Sequence, residues 1–171
     1  MYKKTLLKNG IRVVTAKMPS RDSATIGIWL NVGGRYEEEK LKGIAHYLEH
    51  IVFKGSKKYS CTEIKESIEG VGGALNGFTS EEFTCYLAKV PAKHLKLALD
   101  VLSDMAFAPL ILEKDVEKEK TVILEEIKMY MDLPQHYVHD LLDSLMWPNH
   151  PLGMNIAGTF ESVSAINRSH I

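Results

Sequence analysis

Gly43-Ile44-Ala45-His46-Tyr47-Leu48-Glu49-His50-Ile51-Val52-Phe53 reads as a helix. His46 and His50 are four residues apart, so on a helix their rings project from one face. That spacing lets two imidazoles reach one Zn²⁺ at about 2.0–2.1 Å each. Glu49 follows His46 by three residues and lies on the same side. A carboxylate there can reach a metal-bound water without itself binding the metal. The bland alternative is a solvated His/Glu face on an amphipathic helix. A structural zinc site would normally recruit cysteines, and Cys61 and Cys85 lie in unrelated contexts.

Outward from this helix, the first third of the chain reads as strands. Ile11 to Lys17 is a β-rich run after the Asn9-Gly10 turn. Thr25 to Val32 alternates, but Trp29 makes its second face apolar too, which predicts a strand covered on both sides. Ser60-x-x-Glu63 is a capping-box pattern opening a helix that Gly70 stops. Ala74 to Thr79 and Glu82 to Val90 are β-rich runs around a Ser80-Glu81 hairpin turn, and Pro91 suits a helix start. Leu95, Ala98, Leu99, Leu102, Met105 and Ala106 form a helical stripe closed by Pro109. A long helix is expected over Glu113 to Met131. Another is expected over Pro134 to Trp147, with Val138, Leu141, Leu142 and Leu145 on one face. The tail from Asn149 has few periodic signals. Strands first and helices later, without βαβ alternation, predict an α+β fold with a mixed, largely antiparallel sheet.

The 171 residues amount to one domain. With 21 Lys+Arg against 22 Asp+Glu, the net charge of −1 gives no electrostatic footprint for nucleic acid or an anionic membrane. No apolar run approaches the roughly 20 residues of a membrane span. The opening Met-Tyr-Lys-Lys-Thr-Leu-Leu-Lys-Asn-Gly lacks the apolar block of a signal peptide. The cysteines read as free thiols in a reducing compartment, and a cytoplasmic location is expected.

H-x-x-E-H inverts the H-E-x-x-H motif and is a zinc-peptidase signature. A third metal ligand is then required. Glu113, Glu117, Glu119, Glu125 and Glu126 are available on the long helix. Glu119, Val122 and Glu126 share one stripe from which Glu125 points away. The default alternative is a solvated face paired with Lys118, Lys120 and Lys128.

Four ordered blocks carry a resemblance that spans nearly the whole chain. They are GIAHYLEHIVFKG at Gly43 to Gly55, GGALNGFTSEEFTCY at Gly72 to Tyr86, EKEKTVILEEIKM at Glu117 to Met129, and HPLGMNIAGTFESV at His150 to Val163. Together they resemble the pitrilysin/insulinase family of zinc metallopeptidases, near its bacterial processing-protease and mitochondrial processing peptidase β-subunit branch. The resemblance implies that His46, His50 and Glu126 ligate zinc, that Glu49 is the general base, and that Glu119 is a second acidic group supporting the site. It implies substrate contact at Asn76 and a strand, with Gly77, Phe78 and Thr79, on whose edge an extended peptide docks. Gly77 departs from the family's usual alanine, a small-for-small change.

Two histidines and a glutamate would leave the fourth zinc position for a water, whose pKa falls toward about 7 and whose proton Glu49 can take. Because the histidines must be neutral to bind, metal affinity is expected to fall below about pH 6.5. The resemblance further implies a second related half or subunit around a chamber. The chain is therefore expected to be one N-terminal zinc-binding domain ending before its closing strands. It is expected to act on peptide or protein substrates and to associate with its missing half or with a second copy as a homo-oligomer. A non-catalytic peptide-binding or assembly fragment is the alternative. S-ribosylhomocysteine lyase, with an H-x-x-E-H helix but a cysteine third ligand, is a remote one.

Overall fold

The computed structural model describes residues 1–171. β1 (Tyr2–Leu6) and β2 (Arg12–Ala16) form a separate antiparallel hairpin, exposed along its length. β1 was not anticipated, since Tyr2-Lys3-Lys4-Thr5-Leu6 has too few apolar residues to show alternation. β3 (Ser23–Leu30) leads to α1 (Ile44–Val52) and α2 (Cys61–Glu69). β4 (Ala74–Thr79) and β5 (Thr84–Pro91) follow, then α3 (Leu95–Phe107), α4 (Glu113–Met131), α5 (Pro134–Met146) and α6 (Phe160–Ala165). The main sheet is antiparallel in the order β3-β5-β4, which leaves β4 with one open edge. The expected α+β class is what the chain adopts.

Several boundaries follow from local chemistry. The Ser60/Glu63 capping box is fully formed at α2. Gly70 ends that helix with ordinary right-handed torsions, and it is Gly72 that takes the positive φ. The β4–β5 turn is centred on Glu81-Glu82 rather than on Ser80-Glu81, because Thr79 pairs with Thr84 and Ser80 binds Phe83 through both backbone and hydroxyl. Pro91 both closes β5 and caps the 3-10 turn Ala92–His94 that runs into α3, as a proline at a helix start should.

Burial corrects two expectations. One face of β3 is open, and Trp29 is 61% exposed. It packs edge-to-face on Phe78 and at a tilt on Phe83, at centroid distances of 5.7 and 5.2 Å, so these aromatics cover one another instead of lying under a second layer. On α3, Ala98, Leu102 and Met105 of the expected stripe are buried together with Val101, whereas Leu95 and Leu99 are exposed. On α5 the expected apolar face forms, but Val138, Leu141, Leu142 and Leu145 are all exposed. No helix is long and apolar enough to cross a membrane.

Helix α1 sits between two cores. Val52 joins Ile64, Ile68, Tyr86, Val101 and Leu102 between the sheet and α2–α3. Tyr47 and Ile51 join Val116, Ile123, Ile127 and Val163 on α4 and α6. With those two faces buried, a third arc of about 100° carries His46, Glu49 and His50.

The start of α1 is fixed by residues far from it in sequence. Gly43 has φ of +93°, and a Cβ there would lie 2.5 Å from the Ala157 carbonyl oxygen, so only glycine fits. The otherwise featureless tail thus forms the seat of α1, tied by Ser162 Oγ donating to the Lys42 carbonyl at 2.7 Å. Glu37 supplies the cap: its Oε2 accepts from Gly43 N at 2.9 Å and its Oε1 from Ala45 N at 2.7 Å. Lys42 lies 3.6 Å from Glu37, and both side chains are 3% exposed. Burial lowers the Lys42 pKa, and Glu37 offsets part of that effect. Glu37→Gln removes the charge that partners Lys42 and weakens the cap. A loss of about 2–3 kcal/mol of stability is expected, read from urea denaturation. An unchanged midpoint would show that the pair does not hold the helix.

Candidate metal centre

Three elements converge on the arc of α1. Glu126, on the facing helix α4, places Oε2 3.5 Å from His50 Nε2 and 3.8 Å from His46 Nε2. The two imidazole centroids are 4.6 Å apart. All three ligand atoms lie within 4.8 Å of one another. Tetrahedral zinc with bonds of 2.0–2.2 Å sets its donor atoms roughly 3.4 Å apart, so this set fits the ion with small adjustments. Glu125 points away and pairs with Lys128 at the surface. Glu117 likewise pairs with Lys120. The solvated-face alternative therefore describes those two glutamates, but not Glu119 and Glu126.

The electrostatics suit a cation. Burial, and then the charge of His50, pushes the His46 pKa down to about 4, so its ring is neutral. Its Nδ1 is buried with no hydrogen-bond partner. At His50, burial opposes the charge, but the Glu119 hydrogen bond and the Glu126, Glu119 and Glu49 carboxylates outweigh it and raise the pKa. The two histidines therefore depart from the ordinary value near 6.5 in opposite directions.

Glu119 is buried and stands behind His50 rather than at the open side, with Oε1 2.9 Å from His50 Nδ1. That contact leaves His50 Nε2 facing Glu126. Glu49 is held from the sheet, where Thr79 Oγ1 donates to its Oε2 at 2.6 Å. Burial raises the Glu49 pKa, and Glu126 adds to the effect, while the Thr79 bond and His50 oppose it. A carboxylate so raised is the more effective base near neutrality.

The β4 residues divide by strand alternation. Gly77 and Thr79 face Glu49. A Cβ on Gly77 would come within 3.2 Å of both Glu49 Cγ and Oε1 and 3.0 Å of Phe53, so the change from alanine leaves room directly beside the carboxylate. Asn76 and Phe78 face the other side, where Phe78 joins Trp29 and Asn76 Oδ1 accepts from the Gly77 N–H at 3.0 Å. Cys85 lies across from Trp29 and Phe78 in the sheet register and takes no part in the His46–His50–Glu126 group. The cysteine ligand that a lyase site would need is therefore missing. Sequence reasoning missed Lys54, whose Nζ is 2.6 Å from Glu119 Oε2. Its only sequence signal was its place just beyond the motif helix.

Fold and site together define an α+β protein whose inverted H-x-x-E-H helix and facing glutamate form a candidate metal centre. The chain belongs to the insulinase family, peptidase family M16, whose model matches residues 12–160. It is 46% identical over 167 residues to "Uncharacterized zinc protease YmxG" of Bacillus subtilis, covering 98% of this chain and 41% of that protein. It is 38% identical over 167 residues to mitochondrial-processing peptidase subunit beta of Mus musculus, covering 98% and 34%. The fold matches a protease from Helicobacter pylori with a TM-score of 0.92 at 24% identity, covering 98% of this chain and 40% of that one. It matches pitrilysin with a TM-score of 0.84 at 27% identity, covering 97% and 18%. The chain thus spans about two fifths or less of the relatives it matches.

Proposed function

We propose that this chain is the zinc-binding region of a metalloendopeptidase that hydrolyses extended peptides. The observation that carries the proposal is the convergence of His46 Nε2, His50 Nε2 and Glu126 Oε2, with Glu49 on the same arc. Zinc held there supplies a Lewis acid and a water acidified toward neutral pH. His46, His50 and Glu126 hold the ion, and Glu119 orients His50. With Oε2 engaged by Thr79, Glu49 keeps Oε1 free to take a proton from water and pass it to the leaving amine. Thr79 and Gly77 act by placing Glu49.

The open edge of β4 suits a peptide added as a further strand. Docking there would draw the Gly77 N–H from Asn76 and bring peptide side chains against Phe78 and Trp29. A second half or a second subunit, including another copy of this chain, would close the site. The exposed apolar face of α5 is available for such packing. The free thiols Cys61 and Cys85 suit a reducing compartment such as the cytoplasm.

Incubating the zinc-supplemented protein with internally quenched peptides, with and without a chelator, tests the proposal. Cleavage that stops with chelator and returns with zinc is expected. Cleavage indifferent to chelator contradicts it. Peptide binding without turnover by a zinc-loaded chain would favour the assembly reading instead.

A further inference from the structure

The Glu119 carboxylate is 4% exposed and uses each oxygen for one cation-capable partner, His50 Nδ1 at 2.9 Å and Lys54 Nζ at 2.6 Å. A buried carboxylate needs such partners to keep its place. Lys54 lies just past the end of α1, where its backbone N–H closes a turn on the Ile51 carbonyl at 2.9 Å. The turn directs the side chain back toward α4. One turn of chain therefore delivers both a metal ligand and the ammonium that holds the group orienting that ligand. The His50 hydrogen bond and the Lys54 ammonium paired with its other oxygen outweigh the effect of burial and hold the Glu119 carboxyl below its usual range.

We propose that Lys54 is a positioning residue for the metal centre, acting through Glu119 to fix the ring of His50. The inference rests on the zinc reading above. Without Lys54, Glu119 Oε2 loses its ion pair and the carboxylate is free to turn from His50. The imidazole then loses the contact that aims Nε2 at the ion. A lysine serving only to staple the loop after α1 would affect folding but not zinc affinity.

The test is a double-mutant cycle on zinc affinity, measured by competition with a chromophoric chelator, with the cobalt-substituted absorption spectrum as a second readout. Lys54→Met is expected to weaken zinc binding about tenfold and to alter the cobalt bands. Lys54→Arg is expected to restore both, since the Lys54 side chain is 33% exposed and leaves space for the larger head group. In a Glu119→Gln background, Lys54→Met should have no further effect. If Lys54→Met does not fold alone, the Glu119→Gln protein and its double variant carry the comparison, and their affinities must be equal. A parent that holds zinc while Lys54→Met binds it equally well overturns this inference alone, as does a full Lys54→Met effect in the Glu119→Gln background. A folded parent that takes up no zinc overturns both this inference and the metal reading.

Discussion

Glu49→Gln is expected to retain zinc at the parent level and to lose hydrolysis by a factor of about 10²–10⁴, the usual worth of a positioned general base. The reason lies in where Glu49 sits. It shares the arc of α1 with His46 and His50, but its Oε2 is taken by Thr79, and it is not part of the group of atoms close enough to share an ion. The amide is nearly isosteric and can still accept from Thr79, so the local packing survives. What disappears is the ability to take a proton. Zinc content by elemental analysis and turnover of a quenched peptide, measured on the same preparation, check the prediction. Parallel loss of zinc and turnover would make Glu49 a ligand and would require a different base.

Glu126→Gln is expected to lose zinc, whereas Glu125→Gln is not. The two glutamates are adjacent in sequence, yet they differ by about 100° around α4. Glu126 faces both imidazoles at 3.5 and 3.8 Å, while Glu125 pairs with Lys128 at the surface. An amide at Glu126 removes the only anionic ligand and leaves two neutral nitrogens, a poor set for a divalent cation. Equilibrium dialysis against buffered zinc, with circular dichroism as a check on folding, distinguishes the two variants. Equal zinc retention by both would place the third ligand elsewhere.

The placement of these side chains was legible because it depends on helical periodicity, while the roles of Glu49 and Glu126 were implied by the family resemblance. H-x-x-E-H spacing and the Glu119–Glu126 stripe are properties of single helices, and a single helix is what sequence spacing describes. Strand β4 was also legible, through its turn glycines and short β-rich run, while its place at a sheet edge was implied by the family resemblance. What escaped depended on partners far along the chain. Glu37 caps α1 from an irregular loop, and Lys54 finds Glu119 across an interhelical gap. Trp29 looked like a second buried face, because apolarity does not reveal whether an aromatic is covered by another layer or by neighbouring rings. The α3 stripe was right at Ala98, Leu102 and Met105 but took in the exposed Leu95 and Leu99 and left out Val101, because that helix is apolar around much of its circumference and the position of the sheet decides which side is buried. The tail has a capping box, but its second member is Ser162 rather than Glu or Gln, which hid α6.

The central claim is that these residues by themselves assemble a zinc site. Elemental analysis of the purified, dialysed chain measures this most directly. About one zinc per chain is the predicted result, as three converging ligands require. A chain that is folded by circular dichroism and takes up no zinc from buffered solution would contradict it.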